Sequence, residues 1–361
     1  MATNAKRYRY EPDFAVPPGA TLRETIDELG IDQRELAERT GLATKTLNQI
    51  IKGKAPLTQQ TAMLLERVTN VPARIWNNLE AEYQEQLARL QAREELAKDI
   101  EWLKLVPTNE LVKRGYLEAT QDKISLLEQT LSFFRVATVG AWRDGWCEGQ
   151  FSFRKSQDAS CLDCRLATWL RIAEKESESI EAQHFNRRAF AAAVSEIREL
   201  TMEAPGVFIP KMKEAFAASG VALCLVPEIK GGKINGAARW LSPHKAMIAV
   251  NLRGKMNDIF WFTLFHEAGH ILSDSKKQTY IDVRYSDDPR EAAANKFARE
   301  LLIPREFDAA LKTTKSISAV LALAEELRIA PGILVGRLQH EKIIGYQHLN
   351  GLKQKFNWAK E

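Results

Sequence analysis

The sequence predicts a multidomain, mainly α chain. It should hold an all-α N-terminal helix-turn-helix domain, a helical middle region and a C-terminal α+β domain with a small antiparallel sheet. Three observations predict this. From Thr21 to about Leu200, apolar residues recur at helical spacing. Three short apolar runs, 221–226, 238–241 and 246–252, then break that texture and read as strands. Helical spacing returns at Asp258 and holds to about Glu341.

At 361 residues the chain is too long for one small core and suits two or three domains. Its 45% apolar and 27% charged residues are ordinary for a globular protein, so composition excludes a fibrous or disordered chain. The net charge of +4 neither demands nucleic acid nor opposes a local basic face. Met1 to Arg9 carries basic residues with no apolar segment behind them, so no secretory signal is expected. The longest near-continuous apolar stretch, 259–265, is too short to span a bilayer, and no membrane association is expected. Four cysteines do not make a disulfide framework in a chain of this length, which points to the reducing cytoplasm.

The elements follow in order. Residues 1–20 are polar with three prolines and read as a flexible arm. Residues 21–82 form the first domain, with helices near 21–29, 32–39, 43–52, 58–69 and 72–80. Residues 83–200 read as a helical linker and middle domain. It opens with a charged connector helix to about Leu105, whose imperfect heptad favours packing on one face over the alternative of a dimerising helix. Residues 201–310 hold the three strands and the helices 258–273 and 288–302. Residues 311–361 form a helical hairpin and a tail, with the last twenty residues peripheral.

Gln33 to Lys52 fits the helix-turn-helix pattern. Leu36 and Ala37 lie on the first helix, Ala37 being small where two helices cross. Gly41 supplies the left-handed turn residue without a side-chain clash. Leu42, Leu47 and Ile50 seat the second helix, leaving Thr44, Lys45, Thr46, Asn48, Gln49 and Lys52 outward. Hydroxyl, amide and ammonium groups are what base edges and phosphates accept. Gln33, at the start of the first helix, suits a phosphate, and Lys54 extends the basic edge. A merely structural hairpin would not need core, turn and exposed positions to agree at once. The segments 18–24, 47–54 and 76–83 resemble the HigA-like, antitoxin-type branch of the phage-repressor (XRE) helix-turn-helix family. The resemblance implies binding to double-stranded operator DNA as a homodimer, with a toxin as a further partner.

His266-Glu-Ala-Gly-His270 lies within an apolar helical run. Histidines at i and i+4 share one helix face, so both imidazoles can reach one tetrahedral Zn²⁺. Glu267 then projects beside the metal as a general base. Burying two imidazoles and a carboxylate without a partner would be costly, which argues against a purely structural role. A catalytic zinc needs a third protein ligand. The downstream acids are Asp274, Asp282, Asp287, Asp288, Glu291 and Glu300. Glu291 is the choice, because Pro289 starts a helix on which Glu291, Asn295 and Ala298 share a face. Asn295 would orient a histidine from behind. Asp274, one turn beyond His270, is the alternative ligand or a supporting group. Mn²⁺ or another divalent ion could replace zinc in such a site.

The stretches 261–270 and 291–304 resemble the ImmA/IrrE metallopeptidases. The resemblance implies a minimal gluzincin-like fold with His266, His270 and Glu291 on zinc and Glu267 catalytic. It also implies a protein substrate such as a repressor or antitoxin, whose cleavage releases a stress or mobile-element programme. Together these features predict a DNA-binding transcriptional regulator with a zinc-dependent endopeptidase domain. The alternative is an operator-binding repressor or antitoxin whose peptidase fold is a metal-stabilised sensor or docking domain without turnover.

Other signals remain open. Strand 246–252 is either an edge that pairs with substrate or a plain core strand. Tyr280, Tyr285, His244 and Arg253 are candidates to polarise the scissile carbonyl. Cys161-Leu-Asp-Cys164 lacks a second pair, so it and Cys147 and Cys224 read as free thiols. Residues 323–338 echo the helix-turn-helix, but Arg328 replaces the turn glycine and Val335 and Gly336 replace polar readers, so a structural hairpin is expected. Trp142 and Trp146 beside Phe133 and Phe134 read as core packing.

Overall fold

A computed structural model describes residues 14–149, 163–232, 234–273, 279–281 and 289–358. It divides into two compact units, Met1–Ile100 and Glu101–Glu361.

The first unit is all-helical: α1 (Pro18–Glu28), α2 (Gln33–Thr40), α3 (Thr44–Ile51), α4 (Gln59–Thr69) and α5 (Ala73–Ala97). Asp32 caps α2 by accepting from the Glu35 N–H at 2.7 Å. Gly41 ends α2 in the left-handed conformation, φ 74°, so the chain can turn into α3. Leu22, Leu36, Leu47, Ala62, Leu65 and Trp76 meet in a fully buried core. The expected helices near 72–80 and 80–105 are one continuous helix through Ala97. No glycine or proline interrupts residues 73–97, so nothing stops the hydrogen-bond ladder.

The division falls within a 3₁₀ turn, Ile100–Lys104, after which the second unit continues. Its helices are α6 (Thr108–Lys113), α7 (Lys123–Phe134), α8 (Val139–Arg143), α9 (Cys164–Glu178), α10 (Arg187–Glu199) and α11 (Pro205–Ala218). The strands β1 (Val221–Leu225), β2 (Gly236–Ser242) and β3 (Lys245–Val250) follow. Then come α12 (Asn257–Ser273), β4 (Thr279–Ile281), α13 (Pro289–Leu302), α14 (Asp308–Thr313), α15 (Ile317–Leu327) and α16 (Pro331–His340).

The sheet order is β1-β3-β2-β4. It is mixed rather than antiparallel, because β1 runs parallel to β3 while β2 runs antiparallel to both β3 and β4. The reason lies in β3. Five of its six residues are buried, so both faces are covered, and a strand apolar on both faces belongs inside a sheet. With β1 and β2 on its two sides, β3 has no free edge, so the edge-strand role considered for 246–252 does not hold. The sheet's edges are β1 and β4.

α12 is apolar almost all round and is buried accordingly. It packs against β2, β3, α10, α13 and α16 in one continuous core. That core also takes Phe190, Val194 and Ile197 of α10. The helices expected as a middle region therefore divide: α5 lies in the first unit, and α6 to α10 lie in the second. Arg198 of α10 ties the core together. Its guanidinium donates to the carbonyls of Leu301 (2.7 Å), Leu302 (3.1 Å) and Leu327 (2.8 Å), which are orphan acceptors at the ends of α13 and α15.

The tail is not peripheral. Asn257 at the start of α12 exchanges hydrogen bonds with Gln354: its N–H donates to the Gln354 carbonyl at 2.9 Å, and its Oδ1 accepts from the Gln354 N–H at 3.1 Å. Phe356 packs between Phe208 and Phe260, and Lys353 Nζ lies 2.6 Å from Asp258 with both side chains largely buried. A lysine and one phenylalanine in a polar tail carry no periodic signal, which is why the sequence alone hides this anchor. The α15–α16 hairpin is structural as expected: Leu334, Val335 and Leu338 are fully buried. The aromatic set is also core, with Trp102, Phe134 and Trp142 in edge-to-face contact.

Lys353→Ala would leave Asp258 charged and unpaired at the start of α12. It should destabilise the second unit by about 3–5 kcal/mol. Thermal denaturation of the full chain checks this; an unaltered second-unit transition would contradict the anchoring role.

Candidate metal centre and nucleic-acid interface

The metal centre is assembled from two helices. α12 carries His266, Glu267 and His270, which are 2%, 0% and 0% exposed. α13 carries Glu291 in its first turn. Gly269, between the two histidines, allows the helices to meet. A Cβ there would stand 3.1 Å from Phe297 Cδ1 and 3.2 Å from Ala294 Cα, so any larger residue would press α13 away.

The structure brings His266, His270 and Glu291 together. The two Nε2 atoms are 3.1 Å apart. Glu291 Oε2 is 3.2 Å from His266 Nε2, and Oε1 is 3.3 Å from His270 Nε2. Donors about 2.0–2.1 Å from a tetrahedral Zn²⁺ stand ~3.3–3.4 Å from one another. The observed triangle therefore fits a small tetrahedral ion with one corner left over. Hydrogen bonds explain it less well. If both imidazoles donated to Glu291, two N–H groups would face each other at 3.1 Å. The donor set is two imidazoles and one carboxylate, which suits zinc and also accepts manganese. Burial alone would raise the Glu291 carboxyl, but the close contacts with His266 and His270 hold it down at about 2.

Glu267 follows His266 on α12, and its carboxylate lies against the start of β2. A Cβ on Gly236 would come within 2.9 Å of Glu267 Oε1, so the glycine makes room for the carboxylate. This is a site feature that the sequence reading missed: a glycine opening a strand, 31 residues before the acid, carries no local signal. Phe262 stacks on the His266 ring with centroids 6.2 Å apart.

Other expected groups fall differently. Asn295 makes no hydrogen bond to either histidine among the described residues. It sits one turn beyond Glu291 and lines the adjoining cavity, because i+4 displaces it by a full helical rise from the ligand. His244 is at the β2–β3 turn, stacked on His184 at 4.8 Å. Gly236 pairs with Val250 at the opposite end of that hairpin, next to Glu267, so His244 is remote from the cluster. Arg253 is in the loop before α12, where its N–H donates to Asn251 Oδ1 at 2.7 Å. Glu300 pairs with Arg305 instead of joining the cluster. Asp274, Asp282, Asp287, Asp288, Tyr285, Cys161 and the side chains of Tyr280 and Cys147 lie outside the described residues. Cys164 and Cys224 are buried free thiols, raised by burial to about 11 and about 12 and so kept protonated and unreactive.

The candidate nucleic-acid interface lies in the first unit. Thr44, Lys45, Asn48, Gln49, Lys52 and Lys54 are exposed, while Thr46 and Gln33 are half-buried. Leu47, Ile50 and Ile51 face inward and hold α3 against the core. α3 thus presents amide, hydroxyl and ammonium groups along one solvent face.

Comparison with known proteins defines the class. Residues 22–76 match the Helix-turn-helix family model, and residues 224–339 match the model of the IrrE N-terminal-like domain, a peptidase family. The chain belongs to the helix-turn-helix regulators and carries an IrrE N-terminal-like domain after that domain. Among individual relatives, it is 35% identical over 63 residues to the uncharacterized HTH-type transcriptional regulator YddM of Escherichia coli (strain K12), covering 18% of this chain and 67% of the relative. It is similar to the Pseudomonas aeruginosa antitoxin HigA, solved with the higBA promoter, at 26% identity and a TM-score of 0.22, over 23% of this chain and 90% of that one. An addiction module antidote protein of the HigA family from Coxiella burnetii is 24% identical, with a TM-score of 0.22, over 23% of this chain and 92% of that one.

If the three donors hold the ion, Glu291→Ala should cut bound zinc from about one per chain to a small fraction of that. Plasma mass spectrometry of the purified protein reads this directly, and equal zinc in both proteins would refute the ligand assignment.

Proposed function

We propose that the protein is a DNA-binding transcriptional regulator whose second unit is a zinc-dependent endopeptidase. In this reading it acts as a homodimer on double-stranded operator DNA. It controls a stress or mobile-element response by hydrolysing a peptide bond in a repressor or antitoxin. The observation that carries the catalytic half is the position of Glu267. A purely structural metal site has no use for a fully buried carboxylate next to its ligands, whereas a hydrolytic site needs a base there.

His266, His270 and Glu291 would hold the ion. When bound, it would supply a Lewis acid for a water and for the scissile carbonyl. Glu267 takes a proton from the attacking water on one carboxylate oxygen. It returns that proton to the nitrogen of the leaving amine, so the acid ends the cycle ionised as it began. Burial of Glu267 keeps bulk water from its carboxylate and strengthens its interactions. Depressed by its histidine contacts, Glu291 stays anionic across the neutral range, as a ligand must.

On the DNA side, Lys45 and Asn48 of α3 are the proposed base readers. Thr44, Thr46, Gln49, Lys52, Lys54 and Gln33 would contact base edges or phosphates around them.

Two experiments test the two halves. Glu267→Gln should retain zinc yet lose cleavage of a casein test substrate by at least about 100-fold; normal cleavage by this variant would sink the mechanism. Lys45→Ala with Asn48→Ala should weaken binding to DNA selected from a random library by about 100-fold. The helical circular dichroism should not change. An unchanged footprint on that DNA would refute the assignment of α3.

A further inference from the structure

Glu291 has a second role in the geometry. Besides facing the histidines, it lines a cavity of about 740 Å³ bounded by α12, α13, α16 and the tail. Successive turns of α13 put Glu291, Asn295 and Arg299 on its wall. Eight residues of helix separate the first from the last, so Arg299 stands about 12 Å along the axis from the metal cluster.

The charges in this cavity are not equally engaged. Lys353 is neutralised by Asp258 at 2.6 Å. Glu291 is committed to the two imidazoles. Arg299 donates Nε only to the Asn295 carbonyl of its own helix, at 3.2 Å, and pairs with no carboxylate among the described residues. On α16, Arg337 has its Nε 2.6 Å from Glu341 and its Nη2 3.8 Å from Asp308. Its Nη1 is buried without a hydrogen-bond partner. The cavity thus holds two guanidinium groups with unused donors. A buried donor left unmade costs free energy that an incoming acceptor recovers.

We propose that this cavity is a carboxylate-reading subsite, so that the preferred substrate carries an Asp or Glu at a fixed distance from the scissile bond. The inference rests on the peptidase reading above. An extended peptide advances about 3.3 Å per residue, so 12 Å corresponds to about three or four residues. A guanidinium recognises a carboxylate through paired N–H donors, which an amide cannot replace in charge. Ile259, Phe262 and Ile333, also on the wall, cover the aliphatic part of such a chain.

Two labelled random heptapeptide pools test this. One includes Asp and Glu at every degenerate position; the other has Asn and Gln in their place. Both are titrated by fluorescence anisotropy against the zinc-loaded full chain carrying Glu267→Gln, which prevents turnover. The acidic pool should bind about tenfold more tightly. Adding Arg299→Gln should abolish that preference, and Arg299→Lys should keep part of it. Equal binding of the two pools, or no binding of either, overturns the subsite. So does a preference that survives Arg299→Gln combined with Arg337→Gln, because it would then come from outside the cavity. Casein cleavage by the unaltered zinc-loaded protein separates the two readings. Cleavage without an Arg299-dependent preference removes the subsite alone, whereas the preference without cleavage removes the peptidase reading and leaves a carboxylate-binding cavity.

Discussion

Three ionisable side chains inside an apolar helix set the terms for the second unit. α12 takes His266, Glu267 and His270 almost wholly out of water. Desolvating such groups without partners costs several kcal/mol each, more than a domain of this size can leave uncompensated. Compensation has to arrive from other elements, at bonding distance and in the right protonation state. Glu291 meets two of the three at 3.2 and 3.3 Å. Its arrival depends on how closely α13 can cross α12, and Gly269 sets that distance.

The surrounding architecture holds that crossing in place. The sheet supports one flank of α12, and its opening glycine, Gly236, leaves space for the Glu267 carboxylate. Arg198 of α10 collects the last carbonyls of α13 and α15. The tail fixes the first turn of α12 through Gln354 and Lys353. A further buried charge cluster, Arg171 with Glu174 and Arg239, links α9 to β2. Burial lowers the Arg239 guanidinium to about 10, helped by repulsion from Arg171, which still leaves it charged at neutral pH beside Glu174. The first unit needs no such devices. Its core is apolar, α2 and α4 carry side-chain caps, and the polar residues of α3 remain in solvent where a ligand can reach them.

How much could be read in advance follows from the range of the interactions involved. Helix periodicity, an N-cap or the αL glycine at 41 are local, and they appear in a window of a few residues. The i, i+4 histidine pair is local as well: one helical turn puts both rings on a face whatever the rest of the chain does. From Pro289 the phase of α13 is equally visible, so Glu291, Asn295 and Ala298 are legible as one face. The sheet was less so. Whether a run such as 246–250 lies at an edge or in the middle is decided by partners, and only its burial on both faces hinted at the middle position.

The sequence by itself determined the residue chemistry: an outward polar face on α3, two imidazoles and a carboxylate on one turn of α12, and an acid in the first turn of a following helix. These are consequences of backbone periodicity. Tertiary structure alone decided the strand order β1-β3-β2-β4, the anchoring of α12 by the tail, the remoteness of His244 and the facing of Arg299 and Arg337 across one cavity. Each joins residues dozens to nearly a hundred positions apart. No local spacing encodes such contacts; they arise when the apolar faces of separate elements are buried against one another and their polar groups have to find partners where they land.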